Sequence, residues 1–135
     1  MLAIVDSGPL YAALDAGDEH HVAARNVLER ADLQLVIPAL VVAEVSYLVQ
    51  TRLGSHAERT FLSGLAALDV AGPTPEDLQR MADLVEQYAD WPLGATDASI
   101  VALAERLGAT TVVTFDRRHF DALRTAEGEP LRLLP

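Results

Sequence analysis

The sequence predicts an α/β fold in which a mainly parallel sheet is covered by helices. Short runs of β-branched and aliphatic residues, typical of buried strands, alternate along the chain with longer segments whose apolar residues recur at the helical period. Strands that alternate with helices in this way form parallel sheets. With 135 residues, 50% of them hydrophobic, the chain can bury about two thirds of its unfolded surface. We predict one domain over residues 1–135.

The first predicted strand ends in an acid. Leu2–Val5 is apolar without polar alternation, as in a strand buried on both faces, and Asp6 follows it before Gly8 and Pro9 break the pattern. Ligands of open α/β sheets bind beyond the carboxyl ends of the strands. Asp6 is therefore the first candidate for chemistry.

The other elements follow from the same kinds of signal. Strands are predicted over Leu33–Ile37, Asp69–Ala71, Thr110–Phe115 and, at the sheet edge, Leu131–Leu134. Helix caps are expected at Ser7 or Gly8, Asp18, Thr74 and Thr96, opening helices that run to Leu14, Arg30, Ala89 and Leu107. The remaining helices are predicted over Pro38–Leu53, from Ser55 or His56 to Leu68 and, as a short turn, over Arg117–Leu123.

The composition excludes several classes of function. The chain has no cysteine, which excludes disulfides, zinc–thiolate sites and thiol nucleophiles and favours a reducing compartment. All 10 basic residues are arginine, so no mechanism can use a lysine. The net charge of −10 argues against non-specific adhesion to nucleic acid, although a bound cation inverts the local field. The first apolar run is too short for a signal peptide or a membrane span, so we expect a cytoplasmic protein without a membrane partner.

Most acidic residues lie on polar helix faces or at caps, but Glu44 does not. Its helical neighbours Leu40, Val41, Tyr47 and Leu48 predict that the carboxylate lies within an apolar stripe. A carboxylate there is costly unless it is paired, hydrogen-bonded or bound to a metal. A salt bridge to an arginine and a functional role are both open for Glu44.

Three further acids have both a structural and a functional interpretation. Asp97 follows a helix cap on a face that continues into the core, where it could simply complement the helix dipole. Asp116 ends a strand and could cap the turn at Arg117, and Asp6 could form a turn before Gly8. Like charges about 4 Å apart repel by about 4 kcal/mol at an effective dielectric near 20. If the four acids meet, the cluster needs a cation, and oxygen ligands without cysteine favour Mg²⁺ or Mn²⁺.

Four short motifs in this order resemble the PIN-domain family, and within it the VapC-type toxins of bacterial toxin–antitoxin pairs. The motifs span nearly the whole chain: Ile4-Val5-Asp6-Ser7, Pro38-x5-Glu44-Val45, Asp97-Ala98-x-Ile100-x-Ala102-x-Ala104 and Thr114-Phe115-Asp116-x-x-His119-Phe120. The resemblance implies a three-layer fold with a five-stranded, mainly parallel sheet in the order 3-2-1-4-5, flanked by helices. In that order the strands that end at Asp6 and Asp116 lie side by side at the switch point, where an open sheet binds its ligand.

The resemblance also implies an activity. Members of the family are Mg²⁺- or Mn²⁺-dependent ribonucleases, and their acidic residues correspond to Asp6, Glu44, Asp97 and Asp116 of this sequence. Asp6 and Asp97 are then the main metal ligands, Asp116 is a further ligand, and Glu44 orients or deprotonates the attacking water. The expected substrate is a structured cellular RNA such as tRNA or rRNA, and the expected partners are a VapB-like antitoxin and a second copy of the chain.

Other residues near the acids are candidates for supporting roles. Ser7 and Thr114 could hydrogen-bond the carboxylates or simply satisfy local backbone groups. Arg117, Arg118 and His119 could hold RNA phosphates or be solvated surface side chains. The apolar helices between residues 38 and 68 are expected to carry the antitoxin contacts.

Other functional classes fit the sequence less well. A response-regulator receiver requires a lysine, and a haloacid-dehalogenase-like phosphatase requires an aspartate at the position of Gly8. The alternative from another class is a catalytically silent PIN-like domain that acts as a protein- or RNA-binding scaffold. Asparagine in place of Asp6 or Asp97 distinguishes this alternative from an enzyme.

Overall fold

The structure is a computed structural model that describes all residues from Met1 to Pro135. A single sheet of five parallel strands runs through it in the order β3-β2-β1-β4-β5. The strands are β1 (Leu2–Val5), β2 (Gln34–Pro38), β3 (Asp69–Ala71), β4 (Thr111–Val113) and β5 (Arg132–Leu134). Both the predicted fold class and the predicted strand order are confirmed.

Helices connect successive strands, as parallel pairing requires. They are α1 (Ser7–Leu14), α2 (His21–Leu28), α3 (Ala39–Leu53), α4 (Ser55–Leu65), α5 (Pro75–Gln87), α6 (Ala95–Leu107) and α7 (Arg117–Asp121). None of these helices has the length and apolar character that a membrane span requires.

The core lies on both faces of the sheet. Ile4 of β1 belongs to the larger apolar cluster, which includes Val45 of α3 and Ile100 of α6. Ala3, the preceding residue of β1, belongs to a smaller cluster with Val27 of α2. Successive strand residues point to opposite faces, so a central strand covered by helices on both sides must be apolar throughout. This explains the continuous apolar run of β1.

The position of β1 determines where the site forms. β1 pairs with β2 on one side and β4 on the other, and the strand order reverses there. The ladder extends one residue beyond β1, because the Asp6 amide donates to the Val113 carbonyl at 2.9 Å. Asp6 therefore lies beside the carboxyl end of β4.

Two predicted helix starts are wrong, for a common reason. The Asp6 side chain accepts a hydrogen bond from the Ser7 amide at 2.7 Å and caps α1, whereas Ser7 or Gly8 was expected to do so. Asp18 does not open α2, because its carboxylate accepts from the His20 amide at 2.8 Å and closes a turn before the helix begins at His21. Short polar side chains accept hydrogen bonds from backbone amides both in turns and at helix starts. Local sequence therefore does not distinguish the two.

The predicted cap of a third helix is also wrong, and the residue concerned contacts the candidate site. Helix α6 begins at Ala95 after Gly94, and no side chain caps it. Thr96, the expected cap, lies within the first turn and directs its hydroxyl to another helix. In contrast, Thr74 caps α5 as expected, in a reciprocal pair of hydrogen bonds with Asp77. Helix α4 ends at Leu65, three residues before the expected Leu68.

Candidate functional site

The four candidate acids line one open cavity at the carboxyl ends of the strands. Its volume is about 790 Å³, and Asp6, Glu44, Asp97 and Asp116 all contribute to its wall. The four side chains come from four places in the chain: the end of β1, the middle of α3, the first turn of α6 and the residue before α7. We call this space the acidic cavity.

Asp6 is the buried member of the group. It is 8% exposed, and both carboxylate oxygens accept hydrogen bonds, from the Ser7 amide and from the Thr114 hydroxyl, each at 2.7 Å. Burial raises the pKa of Asp6 above its usual value, the two hydrogen bonds oppose this, and the charges of Glu44 and Asp116 add to the rise. The carboxylate is thus held in one orientation in a strongly negative surrounding.

Asp97 is partly buried, and its pKa is far above the usual value for an aspartate. Burial, followed by the charge of Asp6, raises its pKa to about 6, and the smaller effect of His119 opposes the rise. His119 Nε2 lies 3.2 Å from Asp97 Oδ2, but this nitrogen has no partner in hydrogen-bonding geometry. The contact is therefore electrostatic and depends on the charge of the imidazole.

Glu44 lies on a different face of its helix from the face that the sequence predicted. The buried stripe of α3 consists of Val41, Val45 and Val49, while Glu44 and its neighbour Tyr47 are exposed. Glu44 therefore does not sit within the core-facing stripe, and the argument from its burial cost is wrong. Its carboxylate reaches the rim of the acidic cavity and accepts a hydrogen bond from the Thr96 hydroxyl at 3.1 Å.

Asp116 is exposed and has a structural task as well. Its Oδ1 caps α7 by accepting from the His119 amide at 3.2 Å, so the capping interpretation is correct. The Asp116 amide donates to the Thr114 hydroxyl at 2.9 Å. Because the same hydroxyl donates to Asp6, Thr114 connects the ends of the two neighbouring strands.

The donor atoms of the four acids suit a hard divalent cation. All four groups offer carboxylate oxygens, each with lone pairs beyond those already used, and such ligands favour Mg²⁺ or Mn²⁺. As the side chains lie, no three His, Asp or Glu residues of the chain are grouped closely enough to hold one ion together. Burial, and after it the neighbouring negative charges, raise the pKa of Asp97, and a bound cation would lower it by favouring the ionised carboxylate.

The supporting candidates have different surroundings. Thr114 contacts Asp6, whereas the Ser7 hydroxyl is buried without a hydrogen-bond partner. The Arg117 guanidinium donates to the carbonyls of Pro135 and Leu133 at 2.9 and 3.5 Å, so it is directed to the C-terminus and away from the cavity. Arg118 is exposed and forms no ion pair within the chain.

Sequence reasoning did not single out several residues that line the acidic cavity. Gly94, Ala95 and Thr96 bring the uncapped N-terminus of α6 to it, and Phe115 forms part of its wall. Phe115 lies between the candidates Thr114 and Asp116, so its presence at the site could have been predicted from the sequence. Thr96 precedes Asp97, but its expected role as a cap concealed its contact with Glu44.

Comparison with known proteins agrees with this fold. Residues 3–125 match the PIN domain family. Ribonuclease VapC26 of Mycobacterium tuberculosis (strain ATCC 25618 / H37Rv) is 37% identical over 134 residues, which are 98% of this chain and 99% of that protein.

Solved structures show the same fold at lower sequence identity. The crystal structure of Mycobacterium tuberculosis VapC20, described as a sarcin–ricin loop cleaving toxin, superposes with a TM-score of 0.83 at 17% identity and covers 98% of this chain and 99% of that one. Rickettsia felis VapBC2, bound to a DNA fragment from its promoter, gives a TM-score of 0.74 at 17% identity, with complete coverage (100%) of both chains.

Proposed function

Because the chain belongs to the PIN domain family and is 37% identical to a VapC ribonuclease over almost its whole length, we propose that it is a metal-dependent endoribonuclease and the toxin of a toxin–antitoxin pair. The observation that carries the proposal is the meeting of Asp6, Glu44, Asp97 and Asp116 in one cavity at the switch point of the sheet. The substrate is a structured cellular RNA, such as tRNA or rRNA. The site of action is then the cytoplasm.

The proposed roles follow from the surroundings of each acid. Asp6 and Asp97 hold a Mg²⁺ or Mn²⁺ ion, and Asp116 is a further ligand through the oxygen that does not cap α7. When bound, the ion supplies charge neutralisation at the phosphodiester and lowers the pKa of a bound water.

Asp6 is prepared for its role by its hydrogen bonds, since Thr114 and the Ser7 amide hold both oxygens in place. Glu44 acts on the attacking water, as orienting group or base, from the exposed rim of the cavity. The Thr96 hydroxyl holds one Glu44 oxygen, and the other forms no hydrogen bond within the chain. Near neutral pH the cation competes with protonation of Asp97, whose pKa is about 6 without it.

An apolar cavity of about 340 Å³ between α1, α3 and α4 is the proposed docking surface for the antitoxin. Eight of its ten lining residues are hydrophobic, including Leu14, Leu53 and Leu68, which are 39%, 38% and 46% exposed. Such a groove accepts the apolar face of an amphipathic segment. All of its lining residues except Leu10 and Leu14 fall within residues 38–68, the region for which partner contacts were expected. A homodimer remains a further part of the proposal.

The experiment that tests the proposal is cleavage of total cellular RNA by the purified protein with Mn²⁺, Mg²⁺ or EDTA. The Asp97→Asn variant removes one proposed ligand, and Asp69→Asn is the matched control because Asp69 is exposed on the edge strand β3, outside the acidic cavity. We expect discrete fragments that require metal and are lost only with Asp97→Asn. Equal RNA patterns from the parent and Asp97→Asn would instead support the catalytically silent scaffold.

A further inference from the structure

A second cavity of about 340 Å³ opens beside the acidic cavity. Ser7, Gly8, Glu44 and Phe115 line both, so the two cavities adjoin at these residues, and we call the pair of them the groove. The second space differs in its chemistry, because its wall includes a cation, Arg52, and the aromatic side chains Tyr11 and His20. We call it the arginine cavity.

Arg52 is available to an incoming anion. Its guanidinium carbon lies 5.1 Å from the centre of the Tyr11 ring, which limits where the side chain can go. In contrast, Arg25, Arg30, Arg80 and Arg106 form ion pairs with acids of this chain, and Arg52 forms none. Asp18 and Glu44 line the same cavity, and Arg52 forms an ion pair with neither. Apart from its contact with Tyr11, the Arg52 guanidinium has no partner within the chain.

An aromatic platform forms another part of the same wall. The rings of His20 and Phe115 are stacked, with centroids 4.6 Å apart and planes inclined by 27°. The His20 side chain is 51% exposed, so a further planar group can reach the stack from solvent. Stacking on aromatic side chains is the usual way in which proteins hold unpaired bases.

The Ser7 hydroxyl is an unused polar group in this groove. Ser7 is only 6% exposed and its Oγ has no hydrogen-bond partner, although the residue lines both cavities. A buried hydroxyl without a partner is costly. A ligand that supplies an acceptor at this point removes the cost.

We propose that the arginine cavity binds the nucleotide next to the scissile phosphodiester, with Arg52 on its phosphate, the His20–Phe115 stack under its base and the Ser7 hydroxyl on its backbone. The inference rests on the proposed ribonuclease function. It adds that this nucleotide must be unpaired, because a base within a duplex is already stacked and cannot lie on the platform.

The test measures binding of a short fluorescein-labelled single-stranded RNA of mixed sequence over a series of salt concentrations. Every protein in the binding assay carries Asp97→Asn so that the RNA stays intact. We expect Arg52→Gln to weaken binding about tenfold and to make the slope of log K against log[salt] shallower by about 0.7, the value for one contact to a single-strand phosphate. The matched control is Arg59→Gln, since Arg59 is also exposed, free of ion pairs and helical but lies outside both cavities.

A second variant tests the platform separately. His20→Ala is expected to weaken binding of the same RNA about tenfold, but to leave binding of an abasic ribose–phosphate chain of equal length unchanged. A change with both probes would show disturbance of the groove as a whole and overturn the stacking role.

The possible results separate the two proposals. If the protein with Asp97 intact cleaves RNA but Arg52→Gln binds with the same affinity and salt slope as Arg59→Gln, the arginine cavity is not the subsite, while the ribonuclease stands. If the Arg52 and His20 effects are found but no metal supports cleavage, the nucleotide site stands and the nuclease proposal fails. Absence of any RNA binding overturns both.

Discussion

Replacing Thr114 by valine tests how the site holds its buried acid. The side chain is 1% exposed, so water cannot take over the role of its hydroxyl. The change removes the 2.7 Å hydrogen bond to the Asp6 carboxylate, which contributes about 1.5–3 kcal/mol as a bond to a charged group. It also removes the acceptor of the Asp116 amide, worth about 0.5–1.5 kcal/mol for a neutral bond. Together these contributions predict a loss of about 2–4.5 kcal/mol in the free energy of unfolding at pH 8.

The loss should depend on pH with a definite sign. The pKa of Asp6 in the folded protein already lies above its value in the unfolded chain, because burial outweighs the two hydrogen bonds. Without the Thr114 hydroxyl the pKa of Asp6 rises further. Ionised Asp6 therefore destabilises the folded variant more than it destabilises the parent. As the pH falls toward about 4, Asp6 becomes protonated in both proteins and the difference between them shrinks.

The assay is urea unfolding in EDTA at several pH values, with Thr114→Ser as the matched variant. Serine keeps the hydroxyl and loses only a methyl group, so its loss of about 1 kcal/mol should be independent of pH. A Thr114→Val loss that equals that of Thr114→Ser, or one that is the same at pH 8 and near pH 4, would refute the account. The same substitution should weaken metal binding by about 10–100-fold, as measured by calorimetry.

Three further predictions concern the acids and the core. Asp97→Asn should stabilise the metal-free protein above pH 7 by about 1–2 kcal/mol: a folded pKa of about 6 in place of 3.8 corresponds to about 3 kcal/mol, which partial exposure reduces. Urea unfolding should show this gain fading between pH 6 and 4, and a gain that persists below pH 4 would contradict it. Mn²⁺ at a hundred times its Kd should stabilise the parent by about 2.7 kcal/mol, seen as a raised Tm, whereas an equal rise in Asp6→Asn would exclude Asp6 as a ligand. Leu84→Ala, at a fully buried position (0% exposed), should cost about 2–5 kcal/mol of stability and leave RNA cleavage unchanged well below its Tm.

The order of the elements and the region of the site follow from local signals in the sequence. The continuous apolar run of β1, the Thr74 cap of α5 and Gly54 after α3 each act through neighbouring residues, so a linear pattern contains what is needed to predict them. An acid directly after a buried parallel strand is likewise a local feature. Asp6 was therefore predictable as a candidate together with its position at the end of a central strand.

The exposure of Glu44 was decided only by the packing of α3. This helix is apolar on several faces, so the sequence offers more than one stripe that could face the core. Docking against the sheet and α6 selected the stripe that contains Val45 and left Glu44 at the rim of the cavity. Glu44 lines the candidate site as predicted, although the argument from its burial was wrong.

Contacts between distant parts of the chain were also outside the reach of the sequence. Thr96 could have capped its own helix, but its hydroxyl bonds Glu44, 52 residues away. The arginine cavity joins Tyr11, His20, Arg52 and Phe115, none of which is distinctive in its own segment. Local patterns in the sequence predict most of the helices and strands and the positions of the acids along them. Which side chains meet depends on the packing of distant elements, because helical and strand periods describe one element at a time, whereas a groove is built from several.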